Sequence, residues 1–183
     1  MLFRSPFKVP EGAEKRHDYL WRIHQAVPEW GQIGIFNRSH YEDVLVARVH
    51  GLAPKPVWQK RYRQINDFER MLSENSVRIV KFLLYIDKKE QARRFHQRLE
   101  DKAKNWKFSP ADLKEREYWD QYIGAYEDML RKCSTEEAPW YVIPANRKWF
   151  RNLAVSQIMR QELEGMKLKY PKPMADLSGI RFE

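Results

Sequence analysis

The chain has 183 residues, with 34 Lys plus Arg against 25 Asp plus Glu and a formal net charge of +9. It is long enough for one domain with a real core, and its charge favours an anionic partner such as a nucleotide, a polyanion, nucleic acid or an acidic membrane surface. Cys133 is the single cysteine, which excludes a disulfide framework or a thiolate metal cage within the chain and fits a reducing cytoplasm. No apolar run reaches membrane-spanning length and no signal-like stretch precedes the first prolines, so a cytoplasmic protein without a membrane partner is expected.

A first strand is expected near Phe7–Val9. Leu20, Ile23, His24 and Val27 share one face of a helix expected over about 17–27, which Pro28 ends. The short apolar run Ile33–Phe36 is expected as a second strand, followed by a helix carrying Val44, Leu45 and Val49. Pro54 and Pro56 break the chain before Trp58, Tyr62, Ile65, Phe68 and Leu72 recur at helical spacing. Val77–Ile86 reads as a strand covered on both faces. Asp87 closes it and, with Glu90 three residues on, carries the capping-box pattern of a helix running toward Leu99.

A charged, irregular segment follows from Glu100 to Phe108. Ser109-Pro110-Ala111-Asp112 is a strong helix start, with a capping serine, proline at the first position and an acid in the first turn. The helix it opens is long, with Trp119, Tyr122, Ile123, Tyr126, Met129 and Leu130 along one face. Tyr141–Ile143 is the last strand expected. The polar corner Pro144–Lys148 leads into a helix from about Trp149 to Glu164, which Gly165 can end. Residues 166–183, with Pro171 and Pro173, are expected as an extended tail. Strands alternating with helices indicate a single α/β domain with a parallel sheet.

Three polar clusters punctuate this pattern. At the carboxyl end of the second strand, where ligands sit in open α/β sheets, stand Asn37, Arg38, Ser39, His40, Glu42 and Asp43. Glu42 and Asp43 can hold Mg²⁺ through oxygen, directly or through water, while Arg38 neutralises phosphate. The same residues also fit a capped helix start whose acids favour the helix dipole. Arg93, Arg94, Arg98, Lys102, Lys104 and Lys107 form a basic run between two well-capped helices, interleaved with Trp106 and Phe108. That arrangement suits a mobile cover over bound phosphate, although most charge runs are simply solvated faces. Asn146, Arg147 and Lys148 follow the last strand and read on pattern alone as a polar helix entrance.

Other chemistries lack their residues. The five histidines have no dense metal spacing, and no G-x-S-x-G or Cys–His motif supports acyl chemistry. The seven glycines form no G-x-x-x-x-G-K-[ST] loop, so these residues contain no run of backbone N–H groups of the P-loop kind.

In order along the chain, Ser5–Pro10, His17–His24, Gly34–Val46, Arg63–Glu69, Asn105–Lys114 and Pro139–Asn152 resemble the polyphosphate kinase 2 family of phosphotransferases. Asn37-Arg38-Ser39-His40-Tyr41-Glu42 is most similar to the subgroup that phosphorylates nucleoside mono- and diphosphates. The resemblance implies a P-loop kinase-like fold similar to thymidylate kinase, a parallel sheet flanked by helices. It places Asn37, Arg38 and Glu42 on the family's Walker B-type segment, near Mg²⁺ and the phosphates. It also makes residues of about 93–116 a lid, with Arg94, Arg98, Lys104 and Lys107 as cations over polyphosphate and nucleotide, and puts Lys148 beside the pocket.

The family's glycine-rich Walker A motif lies upstream of the segment that matches Phe7-Lys8-Val9-Pro10. The expectation is therefore a body without the central P-loop strand, whose sheet shows a gap or an exposed apolar edge. Asn146 and Arg147 also depart from the Asp and His common in the family. The expected activity is phosphoryl transfer between inorganic polyphosphate and AMP, ADP or another nucleotide, with Mg²⁺ as cofactor. The alternative is a non-catalytic remnant or a polyanion-binding subunit, with a homo-oligomer or a complementing subunit as partner. Nucleic acid is not expected as a partner, because the basic residues concentrate in a lid-like break.

Overall fold

The computed structural model describes residues 2–170. The part of the expected tail from Pro171 onward lies outside the described residues.

The strands are β1 (Leu2–Pro6), β2 (Ile33–Asn37), β3 (Lys81–Tyr85) and β4 (Trp140–Pro144). The α-helices are α1 (Trp21–His24), α2 (Val46–Val49), α3 (Lys55–Glu74), α4 (Lys88–Glu100), α5 (Pro110–Glu115), α6 (Trp119–Cys133) and α7 (Lys148–Gly165). β1 pairs with β2 in parallel, Leu2 opposite Ile33 and Pro6 opposite Asn37. β3 pairs with β4 in parallel, Lys81 opposite Trp140 and Tyr85 opposite Pro144. Gly34 makes the first pairing tight, since a Cβ there would lie 3.1 Å from the Phe3 ring.

The two pairs are separate two-stranded sheets, so among the described residues every strand keeps a free edge. Parallel strands are ordinarily covered on both faces. Here Ile33 and Ile35 of β2 are 44% and 49% exposed, and Leu84 and Tyr85 of β3 are 47% and 44% exposed. The divided sheet with apolar strand residues in solvent agrees with the gapped sheet expected from the sequence.

The core sits where α3 and α6 meet the turn after β2. It joins Tyr41, Val44, Leu45, Tyr62, Ile65, Ala125, Met129 and Cys133. α3 buries Tyr62, Ile65, Glu69 and Leu72, one stripe at helical spacing in which a carboxylate occupies an apolar position.

Four expectations change at their ends. The first strand lies earlier than Phe7–Val9, because Phe7 leaves the ladder, is buried, and packs edge-on against Phe36 at 4.9 Å. The strand expected over Val77–Ile86 begins only at Lys81. Ser76 has a φ of +66° and the Val77 N–H still bonds the Leu72 carbonyl, so this segment wraps the end of α3. The helix expected over about 17–27 shortens to α1. Asp18 caps the Leu20 N–H at 2.9 Å, and tight i→i−3 bonds from Ala26 and Val27 close it. The long helix after Ser109 divides into α5, a 3₁₀ turn over Arg116–Tyr118, and α6. At that break Arg116 reaches away to the Lys88 carbonyl and Gln91.

Candidate functional site

β2 ends at Asn37, whose carbonyl accepts a bond from the Phe7 N–H at 3.2 Å. The chain then turns sharply through Arg38, at a φ of +62°, a left-handed conformation uncommon for a residue with a side chain. Ser39 is extended, and its Oγ accepts from the Tyr41 N–H at 3.3 Å, capping a 3₁₀ turn over His40–Asp43. This turn divides the polar cluster in two. Asn37 and Arg38 stay exposed with Glu42 beside them, whereas His40 and Tyr41 turn inward and are buried.

Arg38 and Glu42 approach at 3.8 Å, the arginine well exposed and the carboxylate mostly covered. Burial raises the Glu42 carboxyl above the ordinary range, and the Arg38 charge opposes that rise. Asp43 is raised by burial in the same way, with Arg61 opposing. Arg61 Nη1 donates to the Asp43 carbonyl at 2.8 Å and to its Oδ1 at 3.1 Å, while the guanidinium lies over the Tyr19 ring. Arg22, also buried, donates to the Lys8 carbonyl at 2.7 Å and adds positive charge behind both carboxylates.

Beneath the turn lies a buried network. Lys81 Nζ donates to Glu69 Oε2 at 2.6 Å, to the Tyr41 hydroxyl at 2.8 Å and to the Cys133 carbonyl at 2.8 Å. The Tyr41 hydroxyl in turn donates to Glu69 Oε1 at 2.9 Å, and His40 Nε2 lies 3.2 Å from the same oxygen. Burial raises the Tyr41 phenol and lowers the Lys81 ammonium, with Glu69 supporting the charge on Lys81. Pattern reading passed over Glu69 and Lys81. Their signal was a charged residue at an apolar position of α3 and another inside the apolar run before Ile86.

The expected lid cations have local partners. Arg94 bonds Glu90 at 2.8 Å and the Ala145 and Asn146 carbonyls at 2.6 and 3.3 Å, pinning α4 to the corner after β4. Arg98 faces Asp112 at 3.6 Å, Lys104 pairs with Asp101, and Lys107 lies over the Trp106 ring. Among the described residues no hydrogen bond or ion pair joins these four to Arg38. Lys148 is exposed at the start of α7. Asn146 clamps the carboxyl ends of β3 and β4 together, donating to Asp87 Oδ2 at 2.7 Å and accepting from the Asp87 N–H at 3.1 Å. Asp87 caps Glu90 as expected, but Glu90 turns its carboxylate to Arg93 and Arg94, whose hydrogen bonds hold it at about 2.

As a metal site the cluster is partial. Among the described residues no group of three or more His, Cys, Asp or Glu side chains could hold an ion. Mg²⁺, however, commonly takes one or two carboxylates together with substrate phosphates and water. Glu42 fits that role, since its Arg38 contact is long and leaves oxygen lone pairs free. Asp43 was expected as the second ligand, but both its carbonyl and Oδ1 bond Arg61.

Parallel strands with flanking helices and a charged turn at a strand's carboxyl end define an α/β fold of the P-loop kinase type. The chain belongs to the polyphosphate kinase 2 family, whose model matches residues 4–171. It is 55% identical over 169 residues to an AMP/ADP-polyphosphate phosphotransferase of Meiothermus ruber, covering 92% of this chain and 63% of that protein. It is 47% identical over 178 residues to an ADP-polyphosphate phosphotransferase of Rhodopseudomonas palustris, covering 91% of this chain and 62% of that protein. The crystal structure of polyphosphate kinase 2 from Arthrobacter aurescens TC1 superposes with a TM-score of 0.94 at 48% identity, covering 97% of this chain and 62% of that one. The chain thus spans somewhat under two thirds of the length of these relatives.

Proposed function

We propose that the chain takes part in phosphoryl transfer between inorganic polyphosphate and a nucleoside mono- or diphosphate. The observation that carries this reading is the Arg38–Glu42 pair at the carboxyl end of β2, in a chain 55% identical to an AMP/ADP-polyphosphate phosphotransferase. Exposed Arg38 meets and neutralises phosphate, and Asn37 adds a hydrogen-bonding amide beside it. Glu42 holds Mg²⁺, which when bound neutralises phosphate oxygens as charge develops. Arg61 fixes Asp43, so the turn keeps its shape when the anion arrives. The segment over about 93–116 acts as the lid, in which Arg98, Lys104 and Lys107 exchange their carboxylate or aromatic partners for phosphate. Arg94 holds the lid's base against the corner before Lys148.

The free edges of β2 and β3 favour a second element in the reading. These 183 residues contain no G-x-x-x-x-G-K-[ST] loop, and the match covers only 63% and 62% of the two relatives' own lengths. A further parallel strand, pairing with the free edges of β2 and β3 and carrying a phosphate-binding turn, completes the site from the same or a separate polypeptide. The 183 residues alone then bind polyanions and catalyse little.

The test is binding of linear polyphosphate by calorimetry across a salt series, with wild type, Arg38→Ala and a variant neutralised at Arg98, Lys104 and Lys107. Binding should weaken steeply with salt and with either change, as for contacts governed by exposed charge. Affinity unchanged in both variants would overturn the assignment.

A further inference from the structure

The buried group of Lys81, Glu69, Tyr41 and His40 has no part in the chemistry above, yet it lies directly behind it. Arg38 holds a left-handed backbone at a φ of +62°. Strain of this kind persists only where the surroundings over-determine it. Before Arg38 the hold is the β1–β2 ladder and the Phe7–Asn37 bond. After it the hold is His40 and Tyr41, both bonded to Glu69 Oε1, with the Tyr41 hydroxyl also taking a bond from Lys81. Lys81 begins β3, Glu69 lies on α3, and the third Lys81 bond goes to the last residue of α6. Since no strand ladder joins β2 to β3, these side chains give the Arg38 turn a polar anchor on the β3–β4 half.

We infer that Lys81 and Glu69 are positioning residues which, through Tyr41 and His40, hold Arg38 and Glu42 in the arrangement that meets phosphate. The inference rests on the proposed reading of Arg38 as a phosphate contact. Paired burial of charge is a poor way to gain stability, because apolar replacements of similar volume are often as stable. A geometric role for this group is therefore separable from a stabilising one.

The experiment compares wild type, Tyr41→Phe and the double variant Lys81→Met/Glu69→Gln, each with and without Arg38→Ala. Tyr41→Phe removes only a hydroxyl, and Gln at 69 keeps an acceptor for Tyr41 and His40. The readouts are the Arg38 amide resonance with its HN–Hα coupling, and the Kd for tripolyphosphate.

In both variants the Arg38 amide should shift and broaden. Tripolyphosphate binding should weaken about fivefold, the worth of one hydrogen bond, and Arg38→Ala should then cost much less than it does in wild type. An unmoved Arg38 amide, with the full Arg38→Ala effect retained in both variants, would overturn the inference whatever the melting temperature does. Should the double variant fail to fold, Tyr41→Phe decides alone. Should wild type not bind tripolyphosphate, the proposed function falls, and the Arg38 amide alone decides the positioning role.

Discussion

Replacing Lys81 by Met exposes how much the buried network carries. Lys81 is 7% exposed and Glu69 1% exposed, and all three ammonium donors are used within 2.8 Å. Met fills much of the lysine stem but leaves Glu69 buried without its cation. Removing one partner of a buried pair costs about 3–5 kcal/mol, a large share of the roughly 5–15 kcal/mol that holds a domain folded. At this chain length each kcal/mol moves the melting temperature by about 2–4 °C, so a fall on the order of 10 °C is expected. Urea unfolding followed by tryptophan fluorescence measures it, and Lys81→Met/Glu69→Gln should recover most of the loss. A single-variant loss under about 1 kcal/mol, the value of an exposed pair, would refute burial of the ammonium.

Burial raises the Glu42 and Asp43 carboxyls above their unfolded values. Their contribution to stability is therefore full below the unfolded pKa and lost as pH rises through the folded one. Glu42→Gln should flatten the decline in melting temperature as pH rises above the ordinary glutamate range; an unchanged profile would count against the burial. Arg94→Ala should loosen the corner after β4, giving faster amide exchange over residues 88–94 and 145–148 and a loss of about 1–2 kcal/mol; unaltered exchange there would show the clamp to be idle. The Cys133 thiol is buried and pushed up to about 11 by that burial, so thiol reagents should label it only on unfolding. Rapid labelling of the native chain would contradict its place in the core.

Strand and helix positions were legible wherever one periodicity ran unbroken. Ile33–Phe36 is an apolar run with polar ends, Tyr141–Ile143 is one closed by Pro144, and Ser109-Pro110 fixes a helix start by cap chemistry alone. β1 was misplaced because Leu2–Pro6 contains Arg4, Ser5 and Pro6, and only the parallel partner β2 makes it a strand. The turn after Asn37 was legible as a polar cluster closing a strand through its density of polar groups. Its division into an exposed half and a buried half was not, because it depends on Glu69 and Lys81 arriving from α3 and β3. Those two are visible locally only as charges in apolar positions. The basic run from Arg93 to Lys107 was legible as composition, whereas the local partners of Arg94, Arg98 and Lys104 come from chain geometry that composition does not encode.

The most direct test is production of ADP or ATP from AMP or ADP with polyphosphate and Mg²⁺. The 183-residue chain is assayed alone and mixed with a polypeptide supplying a strand and phosphate-binding loop from a longer relative. Phosphoryl transfer relies on backbone donors and a lysine around the moving group, and a lost arginine finger alone costs roughly 10³-fold or more. Little or no turnover is expected from the chain alone, with activity on mixing that Glu42→Gln removes. Family-like turnover by the chain alone, abolished by Glu42→Gln, would contradict the claim that these residues need a completing segment.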